Sequence, residues 1–298
     1  MSSNVIGAGL SVIALLFGLL TGILVKQVSS DIPIFTILMA RFWFSVPLLF
    51  LMAYMMRGPA FLGINDKKTL SLRVLFGLSG ITFWFLSLRH IPIGLATALF
   101  QSSVLFVTLF SPFMLGEQVG KYRWSAVIMG FVGVFIITDP LGKDVPIGII
   151  YGVLCALSGA CLAIFLRRLG KTEHPASVAS LYNFYGALIT SVVAVVIPGQ
   201  LVMPMGQDLY MLIALGMVGS LLQICFTSAF RFADAVIVAV LRYLQVPGAI
   251  IVGYFMFSEV PSGLQMLGTL IVLSSSVFIV LREFYLGKKQ KTEAAGKN

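Results

Sequence analysis

The sequence predicts an all-α integral membrane protein of ten transmembrane helices, arranged as two inverted five-helix repeats. Three observations predict it. The 298 residues are 59% hydrophobic and only 10% charged, whereas soluble domains carry roughly a quarter charged residues. Ten apolar runs follow one another, separated by short connections marked by Pro, Gly or charge. A shift of 142 positions lays the second half of the chain on the first without a gap.

Each run is long enough, or nearly so, to cross a bilayer, which takes about 20 mostly apolar residues. The first covers about 5–25; Met1 to Asn4 before it hold no Lys or Arg. A cleaved signal has a basic start and a shorter apolar core, so this run reads as a permanent helix. The second, about 33–56, opens after Asp31-Ile-Pro33, and the third, about 70–88, follows the polar stretch Gly63 to Lys68. The fourth and fifth cover about 94–115 and 123–138, and Asp139-Pro140 ends the first half. The sixth to tenth cover about 146–166, 177–197, 208–230, 236–257 and 262–281, with Pro198-Gly199 and Pro261-Ser262-Gly263 as punctuation. The domains are therefore a first repeat at 5–139, a second at 147–281, and a charged tail at 282–298. Lys288 to Asn298 has no apolar run and reads as disordered.

The net charge of +9 invites a nucleic-acid reading, but its placement argues for topology. With the N-terminus cytoplasmic, the inside segments hold 15 Lys and Arg, Arg73 and Arg123 among them, and the outside segments hold three, Lys26, Arg89 and Lys143. Basic residues concentrate on the cytoplasmic side of membrane proteins. Both termini are therefore expected in the cytoplasm, the partner of the basic surface is the lipid bilayer, and no nucleic acid is expected. Arg41 and Arg242 are the two basic residues that fall within helices.

The repeat rests on charged and unusual pairs rather than on aliphatic matches. Lys26 falls on Arg168, Arg89 on Arg231, Gly77 on Gly219, Trp84 on Phe226, and Glu117 on Glu259. Five helices per half is an odd number, so the second half must be upside down relative to the first. Inverted repeats recur in transporters, with the binding site near the midplane between them.

Leu115-Gly116-Glu117 at the end of the fourth helix, Gly130 and Gly133 in the fifth, and Phe257-Ser258-Glu259 before the tenth carry a resemblance. Over about residues 5–281 the chain resembles the EamA family of the drug/metabolite transporter superfamily. Arg242-Tyr243-Leu244-Gln245-Val246-Pro247 looks like the ninth-helix motif of one bacterial subgroup, with Gln245 where many relatives have Glu. The resemblance implies a secondary transporter of the bacterial inner membrane with a central cavity. It implies a ring-bearing or carboxylate-bearing small-molecule substrate, such as riboflavin or S-adenosylmethionine for uptake. Export of an amino acid or drug-like metabolite is the alternative.

Candidate substrate-binding residues follow from depth and chemistry. Arg41 lies roughly 12 Å inside the second helix at 1.5 Å per residue, and Arg242 lies at similar depth in the ninth. A charge this deep is costly unless paired or hydrated, yet no helix interior contains Asp or Glu. Each arginine either bonds backbone carbonyls and packs the bundle, or lines a wet cavity and binds a carboxylate, phosphate or ring carbonyl through its planar fork. Trp84 suits stacking on a flat ring, and Tyr243 adjoins Arg242. Gln101, Asn183 and Gln245 are polar at buried positions; they bind substrate or join helices. Pro47 and Pro247 interrupt helices two and nine and free carbonyls within reach of the arginines. Glu117 and Glu259 precede the fifth and tenth helices, where the dipole favours a carboxylate.

Other classes fit poorly. His90 and His174 lie beside loops, and Cys155, Cys161 and Cys225 read as apolar fillers. No catalytic group, metal site or cofactor is expected, which argues against an enzyme. A channel wants a continuous polar stripe, while the polar residues here cluster near the middle. No Gly-rich ATP loop is present.

Overall fold

The computed structural model describes residues 3–116, 119–138, 145–233 and 235–295. They fold into α1 (Ser3–Gln27), α2 (Ile34–Arg57), α3 (Lys67–His90), α4 (Ile93–Gln101), α5 (Ser103–Leu115), α6 (Lys121–Thr138), α7 (Ile147–Leu169), α8 (Pro175–Val196), α9 (Gln207–Phe232), α10 (Ala235–Tyr243), α11 (Gln245–Phe257) and α12 (Gly263–Ala295). Ten spans are long and apolar enough to cross a bilayer, with α4–α5 and α10–α11 each making one. Their outer faces expose Leu16, Leu51, Leu75, Phe113, Val192 and Phe255. Apolar exposure on this scale marks a lipid-facing surface, and the chain is a multi-pass membrane protein.

Local chemistry sets the helix starts. Asp66 caps α3, accepting the Thr69 amide at 3.0 Å and its hydroxyl at 2.6 Å. Its carboxyl is held below the usual range chiefly by those two bonds. Pro175 opens α8, where its missing N–H is not needed, and His174 Nδ1 accepts the Ala176 amide at 3.2 Å. Glu173 pins the loop before α3 by accepting the Asn65 and Asp66 amides, each at 3.0 Å.

Close approach of small residues draws the helices together, as expected where lipid removes the hydrophobic drive between them. A Cβ on Gly133 of α6 would sit 2.9 Å from the Gly268 carbonyl of α12, and one on Gly268 would sit 2.7 Å from the Gly133 carbonyl. Gly152 of α7 admits Leu99 of α4 in the same way. The central core includes Ile37, Leu38, Phe42, Phe85, Leu99 and Leu105.

Several expectations change. The fourth and ninth spans are each broken once, at Ser102 and Leu244, where the chain tightens to i→i−3 bonds. Ser102 N reaches both Ala98 O and Leu99 O at 3.1 Å. Neither residue is Gly or Pro. Pro247 lies in the first turn of α11, so the interruption precedes it by three residues. Pro47 stays inside α2. The helical backbone of α12 continues through Lys288 to Ala295 instead of ending in a disordered tail; Lys, Gln, Glu and Ala are strong helix formers. Glu117, Asp139, Pro140 and Lys143 lie outside the described residues.

Candidate functional site

A cavity of about 480 Å³ lies between α1, α2, α3, α4, α7, α8, α9 and the break between α10 and α11. Small-molecule sites run from about 300 to 1,000 Å³. Its deepest wall on α1 is Thr21, and its lining continues to Leu169, Gly170, Glu173 and Pro175, at the face where α1 begins. The other face is closed by bonds. Glu259 pairs with Lys26 and also accepts the Ile93 amide at 2.8 Å, capping α4. Arg89 donates to the carbonyls of Ser29 and Ile32, and Ser29 N donates to Asp208 at 3.0 Å. Glu259 thus has a structural role, but at the start of α4 rather than of α12.

Arg41, Trp84, Arg242 and Gln245 line the cavity. Arg41 is 7% exposed, and its Nε and Nη1 meet no hydrogen-bond partner. The carbonyls near Pro47 therefore do not satisfy those atoms; Ser45 Oγ takes the Arg41 and Gly216 carbonyls instead. Trp84 Nε1 is likewise buried without a partner, and its ring lies 6.2 Å from that of Phe100. Arg242 is half-buried and stacks 4.8 Å from the Phe226 ring centroid. Gln245 reaches the wall at Gly18, where a Cβ would come within 2.8 Å of its Nε2.

Gln101, Asn183 and Tyr243 do not line the cavity. Gln101 Nε2 donates to the Arg242 carbonyl at 3.0 Å, and Asn183 Nδ2 donates to Ala179 O at 2.9 Å within its own helix. Each amide nitrogen donates to backbone. Tyr243 is half-buried on another side of α10 from the lining.

Arg73 is a lining residue that the sequence reading assigned to a cytoplasmic connection. It sits in the second turn of α3, 5% exposed, with its Cζ 3.6 Å from the Tyr182 ring centroid. Its Nε and Nη1 also have no partner. Tyr182 and Gln223 line the cavity as well. The readable signal for Arg73 was the glycine one turn on: a Cβ at Gly77 would meet Arg73 Nη1 at 2.5 Å and Tyr182 at 2.8 Å. A second groove, of about 780 Å³, lies outside the bundle between α3 and α8 and is largely apolar. Among the described residues no cluster of His, Cys, Asp or Glu has the makings of a metal site.

The EamA-like transporter family matches residues 5–139 and again 146–281. An S-adenosylmethionine uptake transporter of Rickettsia felis is 30% identical over 283 residues, covering 93% of each chain. A riboflavin transporter of Vibrio cholerae is 29% identical, covering 75% of this chain and 74% of that one. The pseudopaline exporter CntI of Pseudomonas aeruginosa is 26% identical, over 85% and 88%. A crystal structure that is 17% identical superposes with a TM-score of 0.62, covering 92% of this chain and 97% of the other, and shares the fold.

Proposed function

Because this chain belongs to the EamA-like transporter family, we propose that it carries a small organic metabolite across the bacterial inner membrane by alternating access between two inverted halves. The observation that carries the reading is the one-sided cavity. It is lined by arginines, aromatics and two amides, open at the face where α1 begins, and crossed by ion-pair and backbone bonds at the other.

The symmetry of the helix breaks supports inverted halves. Ser102 and Leu244 are 142 positions apart, and so are the left-handed residues Gly116 and Ser258 that end α5 and α11. Helix contacts exchange in the same way: α3 packs on α7 as α9 packs on α1. Two similar halves packed antiparallel supply two conformations of comparable energy. The excess of Lys and Arg favours cytoplasmic termini. It survives the removal of Arg73 and Arg123, both buried in helices. In that orientation the cavity opens to the cytoplasm.

Arg41, Trp84, Arg242 and Gln245 are the proposed cargo contacts, joined by Arg73, Tyr182 and Gln223. Cargo of the size of S-adenosylmethionine or riboflavin suits the volume, and both chemistries occur among the relatives' names. Export is the second reading, favoured by the exporter among the relatives. Proteoliposomes loaded and unloaded with each compound test the reading. Saturable uptake or counterflow of one compound, lost in Arg242→Ala, is expected. Flux equal to empty liposomes for both compounds and for amino acids would sink it.

A further inference from the structure

We propose that Arg41 and Arg73 form an anion subsite, in which a carboxylate or phosphate group of the cargo seats between the two guanidinium groups beside Tyr182. The inference rests on the reading of the cavity as a transport site and names the chemistry of its cargo.

Four observations carry it. Both arginines line the cavity and are more than nine-tenths buried. Each has a buried Nε and Nη1 with no hydrogen-bond partner. The two flank one aromatic pair: Arg73 Cζ lies 3.6 Å from the Tyr182 ring centroid, Arg41 Cζ lies 4.8 Å from that of Phe42, and the two ring centroids are 5.4 Å apart. Among the described residues no acid forms an ion pair with either: Glu173 is the carboxylate in the cavity wall, and its Oε1 is taken by the Asn65 and Asp66 amides at the mouth.

Two like charges held near one another repel, and burial strips each of part of its hydration. The arrangement persists at least cost when an anion fills the gap. Guanidinium forks donate paired hydrogen bonds to carboxylate and phosphate oxygens, and they do so more strongly than to neutral groups. The packing leaves the donors in place. Arg73 lies over Gly77, and Arg41 Nε lies 3.5 Å from where a Cβ on Gly219 would be. Trp84 is a third residue with an unmatched donor in the wall, its Nε1. A cavity this rich in donors calls for a cargo rich in acceptors and negatively charged at one end. A sulfonium cargo would bind through its carboxylate and against its positive charge.

Arginine modification tests the subsite without any transport measurement. The full-length protein in detergent is treated with phenylglyoxal, alone and with millimolar inorganic phosphate or acetate, and peptides are read by mass spectrometry. Several-fold protection of Arg41 and Arg73 is expected, with Arg168, which is exposed, unprotected. Phosphate protecting where acetate does not assigns a phosphate cargo, and acetate alone protecting assigns a carboxylate. Equal labelling of Arg41 and Arg73 with and without either anion overturns the proposal.

Matched ligands give the second arm. Riboflavin 5′-phosphate should bind about tenfold tighter than riboflavin, or S-adenosylmethionine about tenfold tighter than its decarboxylated form, a difference of about 1.4 kcal/mol. Arg41→Gln and Arg73→Gln should erase that difference. Arg41→Lys and Arg73→Lys keep the charge and serve if the Gln variants fail to fold. Anion protection without flux of any compound keeps the subsite and removes the transport reading. Flux that is unchanged in all four variants keeps transport and removes the subsite.

Discussion

Lys26 and Glu259 are joined across 233 positions of sequence, and the same carboxylate caps α4 through the Ile93 amide. One side chain therefore ties the end of α1, the start of α4 and the connection before α12. Its removal should loosen the closed face. Glu259→Gln keeps an acceptor for Ile93 and deletes the charge partner of Lys26. In a background with Cys155, Cys161 and Cys225 replaced by Ala, Thr21→Cys should react several-fold faster with an impermeant maleimide applied from the Lys26 side once Glu259→Gln is added. An unchanged rate would show that other bonds hold this face shut. The shift follows from weakening one of two states.

The crossing of α6 and α12 depends on two glycines. Gly268→Ala would press a methyl against the Gly133 carbonyl, and backbone cannot swing aside as a side chain can. Overpacking of this kind costs about 1–3 kcal/mol. A clear fall in melting temperature is expected in detergent. Gly263→Ala, whose Cβ meets nothing within 4 Å, should leave it near wild type.

Asp66 gives a pH signature. Its carboxyl is held below the usual range by the Thr69 hydroxyl and amide. A group depressed by folding adds stability above its unfolded pKa of about 4, and the contribution is lost as pH falls through the folded value. The gap in melting temperature between wild type and Asp66→Ala should be constant at neutral pH and narrow below about pH 4. A gap independent of pH would assign the effect to packing.

Gln101 has a positioning task at the helix break. Gln101→Leu leaves the Arg242 carbonyl without its 3.0 Å donor, an unmet buried acceptor worth about 1–3 kcal/mol. Stability should fall, and KM for transport should rise through the shift of Arg242 while kcat changes less. An unchanged KM would make the bond purely structural.

The spans were legible because a bilayer leaves little choice: runs of apolar residues bounded by Pro, Gly and charge can be little else. The breaks at Ser102 and Leu244 were not, since neither residue is a Gly or Pro that would end a helix by itself. Arg41, Arg242, Trp84 and Gln245 stood out by depth, and all four reach the cavity wall. Arg73 was hidden by its neighbours: Lys67 and Lys68 precede it closely, so it looked like one more charge at a membrane surface. The cavity dips toward that face and takes it in. Gln101 and Asn183 misled for the opposite reason. A buried amide looks available in a sequence, and only coordinates reveal that a carbonyl already holds it.

The uncompensated arginines bear on kinetics as well as on recognition. On the proposed mechanism, an unloaded protein changes conformation with two bare positive charges in the cavity wall, whereas a protein holding an anion moves a less charged site: a carboxylate offsets one guanidinium group and a dianionic phosphate both. Charge in a low dielectric is expensive, so the unloaded return is the slow half of the cycle. Cargo on the far side then accelerates efflux of cargo from the near side, and one-for-one swapping outpaces net movement. The membrane voltage would act more strongly on the unloaded step than on the swap, speeding or stalling the return in proportion to its larger net charge.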